Sequence, residues 1–164
     1  MKSIRNLLLT LFLTIIVVTA ISYSACNKNH CANVVCQNQG VCNGGSCVCQ
    51  VGFEGSRCEI LSRDKFIFTY NGHDSCSNDS DRQYPILLLA VPNDSLELNM
   101  KHFLNNWDDS ATCTIESTDS FYFQGSNNST IYSGTGKLNH DTLVLYYSVA
   151  QDTTSFSCVY VGGQ

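Results

Sequence analysis

The sequence predicts a mainly β protein in which a small disulfide-rich module precedes a small antiparallel β-sandwich or barrel. Three observations carry this. Ten cysteines occur in 164 residues, and six of them crowd into residues 31–58. From residue 65 onward, short runs alternate apolar with polar side chains and are separated by Asn, Asp and Gly. Charged residues make up only 14%, while Asn, Ser, Thr, Gly and aromatics are plentiful, which suits β structure in an oxidising compartment. So dense a set of cysteines excludes a small reduced cytosolic protein unless it binds metal. The formal charge of −5 leaves no basic footprint for nucleic acid.

Residues 1–25 read as a signal peptide. Lys2 and Arg5 make the start positive, and Leu7 to Ile21 is an apolar run interrupted by Thr10, Thr14 and Thr19. Its length fits a signal core and falls short of the roughly 20 residues that span a bilayer. Tyr23-Ser24-Ala25-Cys26 follows, with small residues directly before a cysteine. This resembles the lipobox of Bacteroidetes-type lipoproteins, with Tyr23 where the usual motif has Leu. The resemblance implies that Cys26 carries a diacylglycerol thioether and begins the mature chain, with residues 26–30 as a lipidated tether. The alternative is ordinary cleavage near Ser24, with Cys26 a disulfide partner. Without Lys2 and Arg5 the mature chain holds seven basic and fourteen acidic side chains, or −7. Such a chain is held at a membrane by lipid rather than by attraction to anionic headgroups.

The next segment reads Cys31-x4-Cys36-x5-Cys42-x4-Cys47-x-Cys49-x8-Cys58. A stretch this short cannot bury enough apolar surface to fold without cross-links. Six cysteines permit fifteen pairings, and spacing does not choose among them. Cys47-Val48-Cys49-Gln50-Val51-Gly52-Phe53-Glu54-Gly55-Ser56-Arg57-Cys58 resembles the C-terminal half of an EGF-like domain, and Cys36 to Cys42 resembles its hairpin entry. The resemblance implies an EGF-like domain over 31–58 with pairs Cys31–Cys42, Cys36–Cys47 and Cys49–Cys58. Gly52 and Gly55 are expected at positions of positive φ or close backbone approach. The single Cys-x-Cys lacks the knuckles of a zinc site. The lead-in Asn27-Lys28-Asn29-His30 lacks the carboxylates that a calcium-binding relative would carry.

After a short polar joint, Glu59 to Asp64, residues 65–164 read as an antiparallel β domain. Leu96, Leu98 and Met100 share one face of a strand, as do Leu143, Leu145, Tyr147 and Val149. Further strands are expected over Phe66–Tyr70, Pro85–Val91, Ala111–Glu116, Phe121–Phe123, Ile131–Gly136 and Phe156–Val161. Turns are expected at Asn71-Gly72, Pro92-Asn93-Asp94, Gly125 to Ser129 and Asn139-His140-Asp141. Lys101 to Trp107 could form one helical turn. First and last strands of such domains are often neighbours, which favours Cys76–Cys158 and leaves Cys113 a buried free thiol; the rival is Cys76–Cys113. The layout of lipid, cysteine module and β domain resembles uncharacterised Bacteroidetes lipoproteins.

Catalytic patterns are sparse. His30, His73, His102 and His140 are scattered and read as surface residues. Gly134-Thr135-Gly136-Lys137 lacks the remainder of a phosphate loop and reads as a turn or close strand crossing. The oxygen-rich stretch Asn71 to Asp81 could hold a cation through Asp74, Asp79 and Asp81, or simply cap its own turns. Trp107, among Asn105, Asn106, Asp108 and Asp109, is either a partly buried structural residue or a sugar-stacking platform. Asp94-Ser95-Leu96 and three similar triplets resemble O-glycosylation sites of Bacteroidetes or mark turn-to-strand junctions. The resulting expectation is a non-enzymatic binding or interaction lipoprotein of the outer membrane, facing the periplasm or the exterior. It would need no cofactor or nucleic acid and would meet a protein or glycan ligand. The alternatives are an envelope-structural lipoprotein and a secreted, non-lipidated EGF-like protein.

Overall fold

A computed structural model describes residues 4, 6, 10–17 and 30–164. Residues 10–17 are helical. No helix among the described residues is long and apolar enough to cross a membrane. The rest of the expected signal segment, its cleavage junction and Cys26 lie outside the described residues.

Residues 31–61 hold two small hairpins. β1 (Val41–Asn43) pairs with β2 (Ser46–Val48), and β3 (Phe53–Glu54) pairs with β4 (Ile60–Leu61). Cys42 and Cys47 are partners across the first hairpin but bridge outward, in Cys31–Cys42 and Cys36–Cys47, so both flanking loops are tied onto it. Cys49–Cys58 ties the connection between β3 and β4 back to the residues before β3. Within this module only Gly52 and Cys58 are buried, so its apolar core is minimal and the covalent bridges replace it. Gly52 and Gly55 take φ of +91° and +96°. A Cβ on Gly52 would lie 2.2 Å from Leu96 Cδ2, so the module rests against the following domain through a bare backbone.

That domain is an up-and-down barrel of eight antiparallel strands: β5 (Thr69–Cys76), β6 (Asp81–Ala90), β7 (Glu97–Lys101), β8 (Ser110–Ile115), β9 (Ser120–Asn127), β10 (Thr130–Asn139), β11 (Thr142–Gln151) and β12 (Thr154–Gly163). Each strand pairs with the next in sequence, and β12 returns to pair with β5. The arrangement is therefore one closed barrel, not a sandwich. Closure leaves no sheet edge exposed. Cys76 and Cys158 are partners at the β12–β5 seam and are joined there by a disulfide. Cys113 points inward from β8 as a buried free thiol.

The interior is aromatic and filled. Tyr70, Phe121, Phe123, Tyr132 and Tyr160 are fully buried from the walls. Phe66 closes one end by meeting Phe121 edge-on at 5.3 Å. Phe103 enters from the other end, with ring centroids 4.9 Å from both Tyr132 and Tyr147. An eight-stranded barrel has just enough interior for its own side chains, and here they occupy it.

Three local expectations are corrected. Phe66 to Phe68 is not strand: Ser62–Phe66 forms a 3-10 turn, which turns Phe66 under the barrel, and β5 starts at Thr69. Asn71-Gly72 is not a turn but lies within β5, where Gly72 accommodates the Val161 backbone. The joint Glu59–Asp64 is structured through β4 and that 3-10 turn. The Ser62 N–H donates to Gly52 O at 2.9 Å, and Lys65 bridges Glu54 at 2.9 Å and Asp119 at 3.3 Å. The cysteine module is thus clasped to the end of the barrel that carries connections 91–96, 116–119 and 140–141. Connections 77–80, 102–109, 128–129 and 152–153 form the opposite, distal end.

Candidate functional site

The inward face of the barrel turns polar toward its distal end. On β6, Arg82, Tyr84, Ile86 and Leu88 share the inward parity, and Arg82 is the Cα partner of Asp74 on β5. Asp74 is fully buried and accepts hydrogen bonds from the Tyr84 and Tyr147 hydroxyls, each at 2.7 Å. Burial pushes the Asp74 carboxyl above its ordinary 3.8, against the two hydroxyls and the Arg82 charge that pull it down. Burial likewise raises Tyr84 and Tyr147 far above the usual phenol range. A carboxylate sealed under two tyrosines cannot touch a substrate while the barrel is closed. We read it as a buried network that fixes the distal ends of β5, β6 and β11.

Above this network the distal mouth opens a cavity of about 330 Å³. Its polar lining includes Arg82, Asn106, Asp109, Asn127, Thr130 and Gln151. Leu104, Val149 and Phe156 supply an apolar side. Arg82 Nε is buried without a hydrogen-bond partner among the described residues, and Nη1 donates a long bond, 3.4 Å, to Leu104 O. The ion pairs among the described residues involve Arg63 and Lys65, so Arg82 has none. Asp109 is 6% exposed and is held by the Asn127 side-chain amide. The Tyr132 hydroxyl donates to Ser110 O at 2.8 Å. Burial, with the nearby Asp109 charge, pushes Tyr132 up to about 12.

The connection that builds one wall is strained. His102, Leu104 and Asn105 have φ of 60°, 53° and 61°. Left-handed backbone is unfavourable for residues with a Cβ, most of all for a bulky one such as Leu104. The neighbouring packing maintains it: Phe103 is driven into the core, and the His102 Nδ1–H donates to Pro85 O at 2.9 Å.

No family model matches the chain, and no curated protein or solved structure shows significant similarity to it.

The structure separates the three candidate cation ligands. Asp74 lies inside the barrel, Asp79 sits in the exposed β5–β6 turn at φ 59°, and Asp81 is exposed at the start of β6. Among the described residues no cluster of His, Cys, Asp and Glu could hold a metal ion. His102 is buried at 5% exposure rather than a surface residue. It stacks flat on Trp107, with centroids 3.8 Å apart and an interplanar angle of 9°. Trp107 is 66% exposed, with one indole face covered by this stack. Gly134 and Gly136 lie inside β10, where Tyr147 and Phe121 occupy the space a Cβ would need, so this is a close strand packing and not a turn. Asp94 Oδ1 accepts from the backbone N–H of Leu96 and Glu97, so that triplet is a turn-to-strand junction. Burial pushes the Cys113 thiol well above the ordinary thiol range and holds it protonated, which argues against a nucleophilic role.

Arg82 is inconspicuous in the sequence because Asp81-Arg82-Gln83 reads as a solvated turn exit. Its parity with Tyr84, Ile86 and Leu88 was the available signal.

Proposed function

We propose that this chain is a lipid-anchored, non-enzymatic binding module of the bacterial outer membrane, with residues 31–58 as an EGF-like spacer and the distal mouth of the barrel as its binding face. One observation carries the reading. The cysteine module is clasped to one end of the barrel, and the polar cavity, whose Arg82 forms no ion pair among the described residues, opens at the other. A tether at Cys26 would therefore leave the mouth directed away from the lipid surface. The pairs Cys31–Cys42, Cys36–Cys47 and Cys49–Cys58 support the EGF-like reading, because they are the pairs that resemblance implies. The filled interior supports a ligand bound at the rim and not within the barrel. The sealed Asp74 and the protonated Cys113 supply no accessible base or nucleophile.

The test is a thermal-shift panel of neutral sugars, amino acids and carboxylates on the purified lipoprotein. A ligand at ten times its Kd stabilises the folded state by about 1.4 kcal/mol, which is several degrees for a domain of this size. At least one class should raise the midpoint, and Arg82→Met should abolish the rise. No response to any class, or a response indifferent to Arg82→Met, rejects the mouth as the binding face.

A further inference from the structure

We infer that the distal mouth binds a neutral carbohydrate, with Trp107 as the stacking platform at its rim and Arg82, Asp109 and Asn127 as the groups that read hydroxyls. The inference rests on the mouth being the binding face and names the ligand class for it.

Trp107 is the chain's single tryptophan and is 66% exposed. It is not loose on the surface. One indole face lies flat on His102 at 3.8 Å. His102 is anchored by its bond to Pro85 O and by an edge-on contact with Tyr84 at 6.0 Å. A large aromatic ring fixed by one face, with the other open to water, is a preformed platform whose use needs no further ordering. The electron-rich face of indole attracts the weakly positive C–H edges of a pyranose ring. Trp107 also lies on the connection between Asn106 and Asp109, which both line the cavity.

The lining itself argues against a simple ion. An anion would find Arg82 but also Asp109, with Asp74 buried behind. A cation would find Asp109 but also Arg82. A sugar hydroxyl both donates and accepts, so one ring can satisfy a donor-only guanidinium and an acceptor-only carboxylate together. Side-chain amides at Asn106, Asn127 and Gln151 add planar two-atom groups that match neighbouring hydroxyls. The buried Arg82 Nε has no acceptor among the described residues, and Asn127 holds Asp109 in place. The cavity of about 330 Å³ lies at the small end of ligand pockets, a volume suited to one or two sugar rings.

The test uses the full mature lipoprotein in a detergent without a sugar headgroup, because Trp107 is an intrinsic reporter. Glucose, galactose, mannose, N-acetylglucosamine and short oligomers of each are titrated while its emission is followed, with glycine, glutamate and acetate in parallel. At least one neutral sugar should give a saturable change, and Arg82→Met should weaken it by about tenfold or more. Trp107→Ala, followed by calorimetry, and Asn106→Ala should weaken it as well; both sites are exposed, and circular dichroism and melting of each variant confirm that the barrel stays folded. Saturation by glycine, glutamate or acetate and by no sugar overturns the carbohydrate assignment but leaves the binding face intact. Saturation by none of the probes overturns both. Sugar binding that survives Arg82→Met, Trp107→Ala and Asn106→Ala also overturns the assignment.

Discussion

Replacing Cys76 and Cys158 together by alanine removes the one covalent link across the barrel's closing seam. The bridge spans 82 residues, whereas the three module bridges span 11, 11 and 9. Restricting an unfolded chain by a loop of 82 residues is worth about 4.5 kcal/mol, against about 2.7 kcal/mol for each short loop. Alanine at two inward, mostly buried positions leaves little cavity, so the loss falls mainly on the unfolded state. The β12–β5 ladder from Cys158↔Cys76 to Gly163↔Asn71 stays available in the variant. Folding stability of small domains is about 5–15 kcal/mol, so the variant should remain folded but lose a large fraction of it. Urea unfolding followed by circular dichroism should show the midpoint fall by about 2–4 M. A loss below about 1 kcal/mol would refute the reasoning, since it would mean that the strand ladder alone restrains the chain ends even when unfolded.

Other outcomes follow from the interior. Asp74 has a raised pKa in the folded state, so the folded protein holds its proton more tightly than the unfolded chain. Its contribution to stability is then greatest below 3.8 and declines as pH rises through the interval up to its folded value. Asp74→Asn should remove that decline, and a melting-point profile indistinguishable from wild type would contradict it. Tyr147→Phe removes one of two hydroxyls from a buried carboxyl and should cost about 1.5–3 kcal/mol in urea unfolding. Gly136→Ala would set a Cβ 2.2 Å from the Phe121 ring, and overpacking of this kind costs about 1–3 kcal/mol. Cys113 should resist iodoacetamide in the native protein and react once urea unfolds it; fast native labelling would show that the barrel opens readily.

Much of the barrel was legible because each strand has one wet and one dry face. Leu96, Leu98 and Met100, and Leu143 to Val149, declare that alternation locally. Closure was legible only through its cysteines: Cys76 on β5 and Cys158 on β12 favoured neighbouring first and last strands, while the pairing of the two strands along the rest of their length leaves no local mark. Phe66 to Tyr70 has the composition of a strand, yet the 3-10 turn over Ser62–Phe66 sets Phe66 against Phe121 as a plug and not in the wall. Asn71-Gly72 is a hairpin signal by local chemistry, and tertiary contact overrides it: the bare Cα of Gly72 is needed against Val161. The site was harder still. Trp107 stands out as an aromatic among polar residues, but its His102 support depends on three left-handed residues that no sequence pattern announces. Arg82 becomes informative only when its parity places it inside.

The decisive measurement is a sulfur inventory: the intact mass of the protein purified from membranes, before and after alkylation in denaturant without reductant. Eight of the ten cysteines are bridged and Cys113 is free, so a lipidated protein should weigh as residues 26–164 with acyl mass on Cys26, four disulfides and one alkylated thiol. A chain that keeps residues 1–25, or that takes up alkyl groups at cysteines of the 31–58 module, would contradict it.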